Sequence, residues 1–135
     1  MYVQILVKLE KQNFLSCMSN MKYDIHIHSK YSSDGILDLE EIVKISKKKG
    51  LDGIAITDHN TIKGGSEARK YETDDFEIVI GSEISTERGD VIGLFLSEEI
   101  RSNDFYRVIL EIKEQNGIIV LKHLQPNNIP DVLNE

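Results

Sequence analysis

The chain has 135 residues and a formal net charge of −7, and this length suits one domain around one hydrophobic core. Hydrophobic residues make up 40% and charged residues 29% of the sequence, a balance typical of soluble globular proteins. The negative charge argues against long nucleic acids as partners, because such binding depends on neutralising phosphates. No apolar run approaches the ~18 residues of a membrane helix. The single cysteine, Cys17, has no partner for an internal disulfide, so we expect a cytoplasmic protein.

Residues 1–20 differ in pattern from the rest of the chain. Val3, Ile5, Val7 and Leu9 alternate with a period of two, which is typical of a strand. Met21 stands directly before "KYDIHIHS" and would be a natural start codon. We therefore divide the chain into an N-terminal extension over 1–20 and a domain over 21–135. The extension is either a wrongly assigned start or an added edge element.

From Lys22 onward the pattern alternates between strands and helices. It predicts strands over 22–28, 52–57, 76–81, 91–97 and 117–123, and helices over 37–50, 65–72 and 102–117. A hairpin turn is expected at 87–90. Alternation of this kind indicates a parallel sheet, and the nearly continuous apolar strands indicate burial on both faces. The fold class is therefore α/β, in either an open doubly wound sheet or a barrel.

Local signals set the ends of the helices. Asp38 with Glu41 three residues later predicts a capping box for the first helix, and Gly50 suits its C-terminal end. We expect Ser102 or Asn103 to cap the last helix, which Gly117 would end. Gly64 and Gly65 are interpreted as a turn and not as a phosphate-binding loop.

Polar side chains collect where the predicted strands end. All four histidines of the chain lie at such ends, together with one aspartate and one glutamate: His26, His28, Asp58, His59, Glu83 and His123. In folds with parallel strands the functional site lies at the carboxyl ends of the strands. Each residue taken singly has an ordinary explanation as an exposed, capping or turn residue. Their joint placement favours a metal site.

The spacing of the first two histidines fits metal binding. Alternate residues of a strand point the same way and lie roughly 6.6 Å apart, so His26 and His28 can reach one ion or two adjacent ions. Ile25 and Ile27 would then pack on the opposite face. Imidazole together with carboxylate suits zinc, manganese or iron. Asp24 and Asp58 are candidates for accepting the other ring N–H of a ligating histidine.

The sequence resembles the PHP (polymerase and histidinol phosphatase) family between about residues 22 and 123. The similar segments are "YDIHIHSKYSSDG", "GIAITDHNTIKGGSEARKY", "IVIGSEIST", "GDVIGLFL" and "NGIIVLKH". The resemblance implies a distorted (β/α)₇ barrel with two or three divalent ions, Mn, Zn or Fe, at its C-terminal mouth. It also implies metal-dependent phosphoesterase activity. Position by position, it implies that Glu83 bridges two of the ions. The full set of implied metal ligands is His26, His28, Asp34, His59, Glu83 and His123.

The chain departs from the family pattern in three places. Asp90 and its neighbours stand where many members carry a ligand histidine, so Asp90 could substitute or the ligand could be absent. His123 lies in "KHLQP" and not in a Pro-His-Pro context, and no late Asp-x-His motif follows it. We therefore expect a partial barrel, truncated at its C-terminus, that self-association or a second chain would complete.

The expected chemistry is hydrolysis of phosphoesters by metal-activated water. Asp58 and His59 are the candidate catalytic residues, with Asp58 orienting His59 or acting as an acid/base helper. The expected substrate is a small phosphorylated compound, such as a nucleotide. The alternatives are a metal-binding module without turnover and an inactive fragment of a longer protein.

Overall fold

The computed structural model describes residues 2–3 and 21–122. Its strands are β1 (Tyr2–Val3), β2 (Tyr23–Ile27), β3 (Gly53–Ile56), β4 (Glu77–Thr86), β5 (Gly89–Leu94) and β6 (Ile118–Leu121). Its helices are α1 (Leu39–Lys48), α2 (Lys63–Ala68) and α3 (Phe105–Glu114), and a 3₁₀ helix at Arg69–Tyr71 follows α2. Most of the predicted N-terminal extension, and residues 123–135, lie outside the described residues. Among the described helices, none is long and apolar enough to cross a membrane.

The strands form one curled sheet in the order β1-β2-β3-β4-β5-β6. Strands β2, β3 and β4 are parallel, whereas β5 is antiparallel to both β4 and β6. The predicted hairpin is confirmed, and it inserts one reversed strand, so the expected parallel arrangement holds for β2, β3 and β4 and not for β5. The strand β6 consequently runs in the same direction as β4. The α/β class and the partial barrel are confirmed.

Apolar side chains fill both faces of this sheet. On the outer face, α1 and α2 pack over β3 and β4 through residues that include Leu39, Ile42 and Ile54, and α3 packs over β4 and β5. On the inner face, a smaller cluster contains Ile25, Ala55, Val79, Ile92 and Leu94. Full burial of one such aliphatic side chain stabilises a fold by about 1.5–3 kcal/mol. Apolar packing therefore stabilises the sheet on both faces, and the polar residues at its strand ends have a rigid backbone.

A β-bulge in β2 alters which side chains share a face. Asp24 is paired with Ile54, but Ile27 is paired with Ile56, so β2 has one more residue than β3 between these pairs. Ile25 consequently packs in the inner cluster, whereas Ile27 packs against the cluster beneath α1. The expectation that Ile25 and Ile27 lie on one face is wrong. Bulges commonly redirect side chains next to functional sites.

The helix ends match the predicted signals only in part. Gly50 follows the last residues of α1 with φ +77°, in the left-handed region that favours glycine, so this prediction is confirmed. Asp38 is the N-cap residue of α1, but it makes no capping hydrogen bond and pairs with Lys30 at 2.5 Å. The cap of α3 is Asp104, which accepts from the N–H of Arg107 at 2.8 Å. It takes the place expected for Ser102 or Asn103, because the helix begins later than predicted.

Gly64 and Gly65 lie inside α2 and not in a turn, so that expectation is wrong. A Cβ atom at Gly64 would overlap Oδ2 of Asp58, and one at Gly65 would lie 3.1 Å from Cα of Ile80. The two glycines thus allow the start of α2 to lie directly against the ends of β3 and the middle of β4.

Candidate metal centre

The first group of possible ligands joins β2 to β4. Nε2 of His26 lies 2.9 Å and Nε2 of His28 lies 2.7 Å from Oε2 of Glu83. The two ring nitrogens are 3.2 Å apart. The Glu83 side chain is fully buried, and 17% of each histidine side chain is exposed. Three donor atoms that converge within 4.8 Å can hold one metal ion.

A second group adjoins the first and shares His28 with it. Nδ1 of His28 lies 2.8 Å from Oδ2 of Asp34, and Nε2 of His59 lies 3.1 Å from the same oxygen. The donor atoms of His28, Asp34 and His59 also lie within 4.8 Å of one another. The ring of His28 therefore stands between two sets of donors, with one nitrogen directed at each.

Ser32 organises the second group, and sequence reasoning did not single it out. Its hydroxyl donates to Oδ1 of Asp34 at 2.7 Å and accepts from the backbone N–H of His59 at 3.1 Å. The hydrogen bond from Ser32 is the main reason that the pKa of Asp34 lies well below its usual range, and His28 and His59 lower it further. Asp34 is therefore an anion throughout the physiological range, as a metal ligand requires.

Asp58 lies beside the group but contacts a different residue from the one expected. Its carboxylate is buried and accepts from the backbone N–H of Ser29 at 2.6 Å and from the Ser29 hydroxyl at 2.8 Å. Within residues 21–122, Asp58 makes no hydrogen bond to the ring of His59. Asp58 thus positions the loop that follows β2, and the catalytic roles of Asp58 and His59 stay predictions.

The remaining candidates lie at the edge of the site or beyond the described part of the chain. Asp24 accepts from the backbone N–H of His26 at 3.1 Å, so its contact is to the main chain and not to an imidazole. Asp90 is paired with Ser85 across β4 and β5, and it is not a member of either ligand group. His123 lies outside the described residues, and its role as a ligand stays a prediction.

Lys122 is a further residue at the centre that the sequence analysis missed. Its Nζ donates to Oε1 of Glu83 at 3.1 Å. Burial raises the pKa of Glu83, but hydrogen bonds from His26 and Lys122 outweigh this effect and bring the pKa to about 2. Its place at the end of the predicted strand over 117–123, next to His123, is the sequence signal that points to Lys122.

The donor set fits a divalent transition metal. Imidazole nitrogens together with carboxylate oxygens are the ligands that zinc, manganese and iron take in proteins. The carboxylates of Glu83 and Asp34 both stay charged to low pH, and the imidazoles of His26, His28 and His59 face them. Packed carboxylates and imidazoles of this kind are hydrogen-bonded when no ion is bound and can ligate when one is.

Two proteins and one solved structure show what this chain is similar to. An uncharacterized protein of Methanocaldococcus jannaschii is 45% identical over 115 residues, which cover 76% of this chain and 67% of that protein. A 5′-3′ exoribonuclease of Haemophilus influenzae is 41% identical over 66 residues, which cover 48% of this chain and 24% of the exoribonuclease. The chain thus spans only part of each relative.

The solved structure is a two-domain protein of Bacteroides vulgatus, described as containing a predicted PHP-like metal-dependent phosphoesterase. It superimposes with a TM-score of 0.66 at 24% sequence identity, covering 73% of this chain and 34% of that one. At this identity the likeness shows a shared fold. The PHP domain family itself matches residues 24–125, which hold every described member of the two ligand groups. The chain belongs to the PHP domain family.

Proposed function

We propose that the chain hydrolyses phosphoesters with the help of bound divalent metal ions. The observation that carries the proposal is the convergence of His26, His28 and Glu83 beside the second group of His28, Asp34 and His59. Membership of the PHP domain family supports it, as does the position of the site at the ends of parallel strands. Bound ions would polarise the phosphoryl oxygens and lower the pKa of a bound water.

The protein's own residues contribute position and charge. Glu83 is held from both of its oxygens, so its buried carboxylate is fixed before any ligand binds. Asp34 is held by Ser32, which also holds the backbone at His59. The side chain of His59 is 29% exposed, more than the 17% of His28. His59 is therefore the ring best placed to meet a substrate and exchange a proton with it.

A small phosphorylated substrate is the proposed partner. The formal charge of −7 disfavours long nucleic acids, and a related exoribonuclease supports nucleotide-like compounds as the first class to test. The cytoplasm as compartment and a second chain or copy that completes the barrel also belong to the proposal.

The test combines metal analysis with turnover. The chain is purified without chelators, its metal content is measured, and phosphate release is followed with Mn²⁺ from p-nitrophenyl phosphate, nucleoside monophosphates and dinucleotides. We expect Glu83→Ala to lower turnover by about 10²-fold or more, as losses of charge-stabilising groups commonly do. Glu67→Ala is the matched control, because Glu67 is an exposed carboxylate on α2.

Three results would decide against the proposal in different ways. Metal content near zero, unchanged by added Mn²⁺ or Zn²⁺, would contradict the metal centre. Bound metal with no turnover on any ester would favour the alternative of a binding module. Turnover that is equal in the wild type and in Glu83→Ala would place the activity at another site or in a contaminant.

A further inference from the structure

The two oxygens of Glu83 face different partners. Oε2 lies 2.9 Å from His26 and 2.7 Å from His28, within the group that can hold an ion. Oε1 instead accepts from the ammonium group of Lys122 at 3.1 Å. The carboxylate therefore has one side available to a metal and one side already occupied by a positive charge of the protein itself.

The sheet register explains how a residue two strands away reaches Glu83. Glu83 is paired with Ile92 of β5, and Ile92 is paired with Val120 of β6. Lys122 comes two residues after Val120, so it points to the same inner face of the sheet. Its long aliphatic stem spans the width of β5, and 34% of its side chain stays exposed.

Lys122 has a second carboxylate in its neighbourhood. Continuing the register of β5 and β6 by one residue places Lys122 opposite Asp90. Within residues 21–122, however, Lys122 forms its ion pair with Glu83. Glu83 is fully buried whereas Asp90 is not, and a buried carboxylate loses more when it has no positive partner.

We propose that Lys122 takes the place of a second cation at Glu83, so that Glu83 binds metal through Oε2 alone and does not bridge two ions. This inference rests on the metal centre of the proposed function and specifies the number of ions that Glu83 ligates. An ion on Oε1 would have to displace the ammonium group or lie beside it, and two like charges in a partly buried site repel strongly. Glu83 then ligates one ion, together with His26 and His28.

A second consequence concerns the protein without metal. A buried carboxylate with no cation nearby is strongly destabilising. Lys122 supplies that cation whether or not an ion is bound. Removing the charge of Lys122 should therefore lower the stability of the metal-free protein more than that of the metal-loaded protein. In the metal-loaded protein, a second ion can take over the place of the ammonium group beside Glu83.

The experiment counts ions in the full chain and measures stability in parallel. Metal-free wild type and variants are titrated with Mn²⁺, bound ions are counted by elemental analysis after gel filtration, and thermal unfolding is followed with and without Mn²⁺. Lys122→Gln removes the charge, and Lys122→Met removes it while keeping the aliphatic stem in case the first variant does not fold. Lys122→Arg keeps the charge. Lys44→Gln is the control, because Lys44 is an exposed residue of α1.

We expect Lys122→Gln and Lys122→Met to bind about one more ion per chain than the wild type, with Lys122→Arg and Lys44→Gln unchanged. We also expect the uncharged variants to unfold at lower temperature than the wild type without Mn²⁺, and this gap to close when Mn²⁺ is added. An equal ion count in the wild type and both uncharged variants would overturn the inference and leave the proposed function standing. A wild type that binds no ion would overturn the proposed function and the inference with it.

Discussion

The buried carboxylate of Asp58 accepts two hydrogen bonds from Ser29, one from the backbone N–H at 2.6 Å and one from the hydroxyl at 2.8 Å. Both residues have no exposed surface. Ser29 directly follows His28, and Asp58 directly precedes His59. The pair therefore fixes the distance between two strand ends that carry candidate metal ligands.

The first prediction concerns the contribution of the Ser29–Asp58 hydrogen bonds to the free energy of unfolding. We expect Ser29→Ala to lower the free energy of unfolding by about 1–3 kcal/mol, because it leaves one buried carboxylate oxygen without its hydroxyl donor. Asp58→Ala should cost at least as much, since it leaves two donors of Ser29 unpaired. The double variant should cost less than the sum of the single ones. Urea unfolding of the four proteins measures these energies, and strictly additive losses would contradict the coupling.

The second prediction concerns the close approach at Gly64. Glycine to alanine inside a helix ordinarily stabilises by about 0.5–1 kcal/mol. We expect Gly64→Ala to destabilise instead, because the added methyl group would overlap Oδ2 of Asp58. Ser66→Ala, an exposed position on the same helix, is the control and should leave the melting temperature nearly unchanged. A Gly64→Ala protein as stable as the control would show that α2 is free to move away.

The third prediction ranks the two histidines that face Asp34. His28 belongs to both ligand groups, whereas His59 belongs to one. We therefore expect His28→Ala to weaken metal binding more than His59→Ala, and by more than the roughly 10- to 100-fold that changes outside the ligand set commonly cause. Competition with a chromophoric chelator gives the affinities. Equal losses in the two variants would mean that a single ion is held by both histidines in the same way.

Much of the site could be predicted because its residues follow a simple rule of strand geometry. His26, His28, His59 and Glu83 lie at or near the ends of predicted strands, and parallel strands bring such ends together. Asp34 was reachable only through the family resemblance, since the loop that carries it has no periodic pattern. In the folded protein Asp34 accepts a hydrogen bond from Ser32 and contacts His28.

Other contacts could not be predicted, because they depend on tertiary packing. The bulge in β2 that separates Ile25 from Ile27 is an irregularity of pairing, and no residue type in "YDIHIH" marks it. The lack of room for a side chain at Gly64 comes from the closeness of Asp58, which sequence spacing does not show. The contact of Lys122 with Glu83 across β5 depends on the register between β5 and β6, which are far apart in the chain.

The last prediction concerns acid stability and follows from the low pKa of Glu83. Burial raises that pKa, but the hydrogen bonds from His26 and Lys122 outweigh it and bring it from 4.5 to about 2. Between these two values the unfolded chain binds a proton that the folded protein does not bind, so acid favours unfolding. The stabilisation from Glu83 is therefore complete above about pH 5 and is lost as the pH falls towards about 2. We expect the stability advantage of metal-free wild type over Glu83→Gln to shrink across this range, as measured by urea midpoints at several pH values. Glu67→Gln, at an exposed carboxylate, is the matched control. A stability advantage of the wild type over Glu83→Gln that stays constant down to about pH 3 would contradict the assignment.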